Sequence, residues 1–296
     1  MTQTLAFIRL GRPLFLYGGF AGVALGAALA RWTGHPLGVA TYAWVQALVT
    51  AFQLMVHYAN DYFDRECDAN ARRTAFSGGS GVLLAGEIAP RTALAAALLC
   101  AACGFALCAR FALTGDAVTA ATGSAIGILA WCYSAPPVRL SARGLGEIDT
   151  ALVVAVLVPC AAYAAFTGRI DQTVVTAALG PAAAMFAMML SVELPDGATD
   201  LLAGKRNLVV RWGPAPAWRG IAIAAVFAVA LAVATLLKAR AGAAAFALLP
   251  AAAAAVQLAR LTNGDPRPAS IAFWGVALYA TTVSGLAAGY ALLSPR

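Results

Sequence analysis

The chain has 296 residues, 61% of them hydrophobic and only 11% charged, with a mean hydropathy of +0.79 and a formal net charge of +7. An ordinary soluble domain carries about 25% charged residues, so composition excludes a water-soluble globular fold. A positive balance of this size is ordinary for a membrane protein and gives no argument for nucleic acid.

Apolar runs recur along the whole chain, at 13–31, 37–59, 90–110, 114–134, 149–167, 172–192, 216–237, 242–261 and 269–292. Each is close to the ~20 residues that cross a ~30 Å hydrocarbon core. The alternation of a membrane β-barrel strand is absent, so helices are the spanning form. The expectation is an all-α polytopic membrane protein of about nine helices, with residues 1–296 as one transmembrane domain. Arg9 and Arg12 precede the first run, and Ala28-Leu29-Ala30 resembles a signal-peptidase site. The run from Pro13 to Ala30 is longer than the ~7–15 residues of a signal h-region, so it is expected to stay as the first span. Five of the six cysteines lie within spans and Cys67 lies beside an acidic stretch. Cys100 and Cys103 form a C-x-x-C without a second pair or a nearby His, and read as small packing residues.

On this layout most Arg and Lys residues fall on the side of the N-terminus, which the positive-inside tendency places in the cytoplasm. Eleven of the thirteen acidic residues fall on that side as well, all but Asp116 and Asp171. The positive-inside rule asks for no acids, so their concentration needs another cause.

The second span ends in "NDYFDRECD", residues 60–68. Asp61 and Asp64 are i, i+3, whereas Asn60 and Asp64, and Asp64 and Asp68, are i, i+4, so all four share one helix face. Two carboxylates about 5.5 Å apart repel by roughly 3 kcal/mol at an effective dielectric of 20. A divalent cation removes that cost, and oxygen-only ligands select hard Mg²⁺, with Mn²⁺ the next candidate. Arg72 and Arg73 follow as basic candidates for substrate binding.

The fourth span stops at Pro136 and Pro137 in "YSAPPVRLSARGLGE", residues 133–147. Arg139 and Arg143 are donors suited to phosphate, and Tyr133 brings an electron-rich ring to the membrane boundary. The sixth span ends in "ELPDGATDLLAGKR", residues 193–206. There Glu193 and Asp196 are i, i+3, Asp196 and Asp200 are i, i+4, and Lys205 and Arg206 follow. Two metal-type acidic clusters on one membrane face, each beside cationic side chains, suit a diphosphate held between metal ions. Tyr58, Tyr62, Trp131 and Tyr133 place aromatic rings at the same span ends, candidates for meeting a cationic group. His57, one turn before Asp61, reads as a hydrogen-bonded helix residue, and His35 has no assigned role.

Together these stretches resemble the UbiA superfamily of intramembrane prenyltransferases. N-D-x-x-D-x-x-x-D at 60–68 resembles its first aspartate motif, and D-x-x-x-D at 196–200 with G-K-R at 204–206 resembles its second. The 133–147 loop is similar to that of the branch that prenylates 1,4-dihydroxy-2-naphthoate for menaquinone. "GRP" at 11–13 and "GGSGVLLAGEIAPR" at 78–91 are weaker echoes. The resemblance implies nine helices around a central cavity capped by the motif loops. It implies Mg²⁺, two ions, as cofactor, and a prenyl diphosphate and an aromatic quinone precursor as partners in the bilayer. By position, Asn60, Asp61, Asp64 and Asp68 would form one metal site and Asp196 and Asp200 the other, with Lys205 and Arg139 on the diphosphate. The chain departs from the naphthoate branch at Glu193, which replaces an Asn, at Pro195 within the second motif, and at Asn207, which replaces a Thr. A solute transporter and a CDP-alcohol phosphotransferase are the rival readings. The first would carry its ionisable groups near span centres, and the second would leave the 193–200 cluster without a purpose.

Overall fold

The structure is a computed structural model, described here for residues 3–69, 76, 78–262 and 268–296. Among the described residues nine helices are long and apolar enough to cross a membrane. In chain order they are Pro13–Trp32, Val39–Asp68, Pro90–Leu113, Ala117–Ser134, Gly146–Thr167, Gln172–Leu202, Pro214–Ala239, Ala241–Thr262 and Ala269–Ala291, here called the first to ninth spans. A short helix, Gln3–Leu10, precedes them and buries Ala6 and Leu10. The nine spans make this an integral membrane protein, and the architecture of the described residues is all-helical.

The bundle has two halves. Spans one to five share a core that includes Val45, Leu48, Phe52, Ile126 and Val158. The first, fifth, sixth, seventh, eighth and ninth spans share a second core, with Leu25, Tyr163, Leu190, Ile221 and Leu278 among its fully buried side chains. The halves meet where the first span packs on the ninth and the fifth on the sixth. Lipid tails are as apolar as leucine, so contact between spans depends on close packing of small residues. At Gly26 an added Cβ would stand 2.3 Å from the Pro159 carbonyl oxygen and 2.7 Å from the Ala162 Cβ. A bare backbone at this position lets the first and fifth spans touch.

Two breaks in the helices serve the site. In the fifth span Pro159 lacks an N–H and its ring opposes the carbonyl four residues back. A π-helical stretch, Val153–Leu157, lies just before it and accommodates the misfit. In the sixth span Pro195 falls in a 3₁₀ turn, Leu194–Asp196, after which Gly197–Leu202 resumes as α-helix. The 3₁₀ turn at Pro195 thus falls between Glu193 and Asp200. The second span is 30 residues long and the sixth 31. Both exceed the ~20 residues needed to cross hydrocarbon, and in each the excess carries an aspartate motif.

Candidate active site

Between the halves lies a cavity of about 280 Å³, lined by the first, second, fourth, fifth, sixth and ninth spans. Its apolar walls include Phe15, Val153, Val154, Met185 and Met188, and its motif-bearing end includes Asn60, Asp64, Asp68, Asp196, Asp200 and Lys205. The two aspartate stretches, at 60–68 and 196–200 in the sequence, thus share one end of one cavity.

In the first stretch the helix spacing does as expected. Asn60 Nδ2 donates to Asp64 Oδ2 at 2.9 Å, one turn on, and to Ser134 Oγ at 2.9 Å on the fourth span. Asp61 is buried and takes an ion pair from Arg12, whose guanidinium also donates to Asn60 Oδ1 at 3.2 Å. The Ser80 hydroxyl donates to Asp61 Oδ2, as does the Ser80 backbone N–H at 3.2 Å. Ser80 sits in a turn whose glycines have positive φ. A Cβ at Gly79 would lie 2.3 Å from Asp68 Oδ2, so only glycine lets this turn rest on the motif.

The second stretch meets the first through Lys205. Its Nζ donates to Asp64 Oδ2 at 3.0 Å and stands 3.7 Å from Asp200 Oδ1. Burial alone would lower the Lys205 ammonium. Asp64 and then Asp200 outweigh that and hold it above the usual lysine range. Asp200 Oδ2 accepts from Asn207 Nδ2 at 2.8 Å, and Asn207 Oδ1 caps the next helix by accepting from the Val210 N–H at 2.9 Å. The Asn found where Thr is usual therefore ties the motif to the helix that follows. The Cys67 thiol donates to Asp200 Oδ1 at 3.5 Å, a second link between the stretches.

In the 133–147 loop the expectation divides. Tyr133 lines the cavity, and Arg139 Nη2 comes within 3.8 Å of Asp64 Oδ1. Arg143 and Arg206 are exposed and outside the cavity lining. The Arg143 guanidinium turns back to the Pro137 carbonyl at 2.7 Å, and the Arg206 backbone N–H donates to the Ala142 carbonyl at 2.9 Å. Both contacts tie the cap loops together, and neither guanidinium lies on the cavity lining. Arg72 and Arg73 lie outside the described residues. Of the aromatic candidates only Tyr133 reaches the cavity. Tyr58 packs on Phe7, and Tyr62 and Trp131 pack on Phe63. His57 Nδ1 donates to the Gly11 carbonyl at 2.7 Å, as expected of a hydrogen-bonded helix residue.

Among the described residues no three His, Cys, Asp or Glu side chains converge as a ready metal cage. The cause is visible: Arg12 holds Asp61, and Lys205 holds Asp64 and Asp200. The donor set nevertheless fits a hard divalent ion. It is rich in carboxylate oxygen, Asp64 is buried, and its Oδ1 has no hydrogen-bond partner. Magnesium takes one or two carboxylates and keeps its remaining positions for water or phosphate oxygen, so Asp64, Asp68, Asp196 and Asp200 suffice for it.

Sequence reasoning gave no role to Arg12, Ser80, Glu147 or Cys67. The "GRP" echo pointed at Arg12 and the glycine-rich echo at Ser80, but neither string says which carboxylate its side chain meets. Glu147 is fully buried and accepts from the Leu208 N–H, a link between loops that spacing does not encode.

Comparison with known proteins finds the same fold. A UbiA homolog from Archaeoglobus fulgidus bound to GPP and Mg²⁺ superposes with a TM-score of 0.71 at 18% identity, over 97% of this chain and 100% of that one. The apo structure of a UbiA homolog from Aeropyrum pernix K1 gives 0.71 at 18% identity, over 92% and 96%. A structure described for digeranylgeranylglyceryl phosphate synthase in membranes gives 0.66 at 15% identity, over 99% and 100%. No curated protein matches by sequence. The model of the UbiA prenyltransferase family matches residues 20–284, and the chain therefore belongs to that family and is a prenyltransferase.

Proposed function

We propose that the whole chain works as one catalytic unit that transfers a polyprenyl group from a prenyl diphosphate to an aromatic quinone precursor, with Mg²⁺ as cofactor. The observation that carries this reading is the position of Lys205, 3.0 Å from an Asp64 oxygen and 3.7 Å from an Asp200 oxygen. It brings both acidic stretches and a fixed positive charge to one end of one cavity. Structures of the Archaeoglobus fulgidus homologs bound to GPP and Mg²⁺ and to DMAPP and Mg²⁺ support the donor and the metal. The 133–147 loop supports an acceptor of the menaquinone type. The transporter and CDP-alcohol phosphotransferase readings draw no support from the family match.

The chemistry follows from the lining. Breaking the allylic C–O bond sends an electron pair to the diphosphate and leaves an allyl cation. Asp64, Asp68, Asp196 and Asp200 would hold the divalent ions, whose charge would offset that of the departing diphosphate. Lys205 adds a point charge and Arg139 a planar donor pair aimed at the same oxygens. The Tyr133 ring faces the cavity and offers its π-electrons to the cation. A ring carbon of the acceptor then forms the new C–C bond and loses its proton. Val153, Val154, Met185 and Met188 keep water from capturing the cation as an alcohol. Positive-inside charge supports a cytoplasmic motif face in a bacterial plasma membrane.

The test is transfer by the purified protein, with Mg²⁺ and geranylgeranyl diphosphate, to a panel of aromatic acceptors, read by mass spectrometry. Prenylated ring product that disappears on chelation is expected. Release of prenyl alcohol alone, with every acceptor unmodified, would defeat the reading.

A further inference from the structure

The N-terminal helix, Gln3–Leu10, reaches the first aspartate motif by two routes. The direct route is Arg12, just past the end of that helix. Its backbone N–H donates to the Arg9 carbonyl at 3.0 Å, and its φ of 46° is left-handed. A non-glycine residue keeps that conformation only where its surroundings hold it. Here the guanidinium is held by Asp61 and by Asn60 Oδ1. The indirect route starts one helical turn earlier. Arg9 Nη1 donates to both Glu87 oxygens, at 2.9 and 3.0 Å, and Glu87 belongs to the turn that carries Gly79 and Ser80.

That turn is bonded to itself as one piece. The Ala85 N–H donates to the Gly81 carbonyl at 3.0 Å, and the Glu87 N–H donates to the Val82 carbonyl at 3.1 Å. The Val82 N–H in turn donates to Ser80 Oγ at 3.2 Å. A stretch this rich in glycine loses much conformational freedom on ordering, so it depends on fasteners outside itself. Val82 and Ile88 are buried in one cluster with Ala6 and Leu10 of the N-terminal helix, and Glu87 pairs with Arg9. These contacts tie the turn to the helix. At its other end, the Ser80 hydroxyl and N–H tie it to Asp61, and Gly79 rests on Asp68. Asp68 lines the cavity beside Asp64. A turn that lifted from the helix would strip Asp61 of the Ser80 donors and leave Asp68 free to swing.

We propose that Arg9 and Glu87 are a positioning pair for prenyl transfer: their ion pair holds the 78–88 turn down on Asp61 and Asp68, and so keeps the acidic end of the cavity in the arrangement that takes up Mg²⁺ with the diphosphate. Neither residue lines the cavity, so both act through Ser80 and Gly79. The inference rests on the prenyl-transfer reading above and adds what keeps that site in register.

The test uses the full-length protein in detergent with geranyl thiolodiphosphate, a non-cleavable donor analogue. Calorimetry reads the Mg²⁺ concentration at which its binding is half-saturated. Glu87→Gln should raise that concentration about two- to fivefold, and Glu87→Arg, which sets like charges against each other, about tenfold. The swapped pair, Arg9→Glu with Glu87→Arg, should return it to within about twofold of wild type. In a Ser80→Ala background Glu87→Arg should add less than about twofold, because the pair works through that contact. In turnover the KM for prenyl diphosphate should rise at limiting Mg²⁺, with kcat at saturating Mg²⁺ near wild type. A pair that serves only the fold would lower the melting temperature and leave the Mg²⁺ half-saturation unchanged. That result, a swapped pair no better than Glu87→Arg, or full additivity with Ser80→Ala overturns the proposal. Should Glu87→Arg fail to purify, Glu87→Gln carries the same test. Wild-type protein that binds no thiolodiphosphate at any Mg²⁺ concentration would defeat the prenyl-transfer reading itself, whereas normal wild-type binding with unresponsive variants defeats only the role of this pair.

Discussion

Replacing Lys205 by methionine tests the junction on which the site depends. The side chain is 13% exposed and lies 3.0 Å from an Asp64 oxygen and 3.7 Å from an Asp200 oxygen. At an effective dielectric of 20 the closer contact alone is worth about 5 kcal/mol before desolvation. Removing one partner of a buried pair typically costs about 3–5 kcal/mol, because the remaining charge stays buried and uncompensated. Here two carboxylates would be left facing each other. Lys205→Met should therefore lower the melting temperature of the metal-free protein by roughly 6–20 °C, taking ~2–4 °C per kcal/mol for a chain of this order of size. Millimolar Mg²⁺ should restore most of that loss, since a divalent ion neutralises the same carboxylates and stabilises by mass action. Affinity for prenyl diphosphate should remain about 10–100-fold below wild type even with Mg²⁺, the loss of one charge-assisted contact. Thermal unfolding by intrinsic fluorescence, with and without Mg²⁺, and calorimetric titration with geranyl diphosphate measure both effects. An unchanged melting temperature, or a loss that Mg²⁺ does not repair, would mean that Lys205 is not the link between the two stretches.

The other expectations are shorter. Asp64→Ala and Asp196→Ala should each lower Mg²⁺-dependent transfer by about a hundredfold or more while still inserting and purifying, and near-normal turnover in both would refute their roles. Because Lys205 is held above its ordinary range by Asp64 and Asp200, its contribution is fully present below the unfolded lysine value of about 10.4 and is lost only as pH rises through the higher folded value. A pH series of melting temperatures should therefore show no Lys205-linked decline between about pH 7 and 10, and wild type and Lys205→Met should run parallel across it. On the opposite face, burial pulls the Asp171 carboxyl upward, but donors from Tyr163 and Thr173 outweigh it and hold it below the usual carboxylate range. Asp171→Asn should cost about 1 kcal/mol at neutral pH, a difference that closes as pH falls through the folded value, and it should leave transfer rates untouched. Gly26→Leu should destabilise the protein by about 1–3 kcal/mol or more, since its Cβ would meet the Pro159 backbone; wild-type stability in that variant would contradict the close approach of the first and fifth spans.

Hydropathy and helical spacing made the spans and both aspartate stretches legible, because 20-residue apolar runs and i, i+4 carboxylates are local properties. Pairings across the bundle were not. Arg12 meets Asp61 across 49 positions and Lys205 meets Asp64 across 141, distances over which no periodicity carries information. The same limit explains Arg143 and Arg206, whose charge suggested phosphate but whose exposed positions and loop contacts keep them outside the cavity. Pro195 and Asn207 stood out as departures, and their purpose became visible only as a turn and a cap, each of which needs its three-dimensional neighbours to be understood.

The second span is 30 residues long, about 45 Å at 1.5 Å per residue, against a hydrocarbon slab of about 30 Å. The overhang works as a ruler. An overhang of that length is enough to carry the acidic end of the cavity to the lipid headgroups while the Met- and Val-lined part stays at acyl-chain depth. An amphiphile with a charged head and a hydrocarbon tail can then occupy the site with neither part leaving the phase it prefers. Bilayer thickness therefore enters the function directly: a thicker membrane would draw the charged end into oil, and a thinner one would flood the greasy end with water.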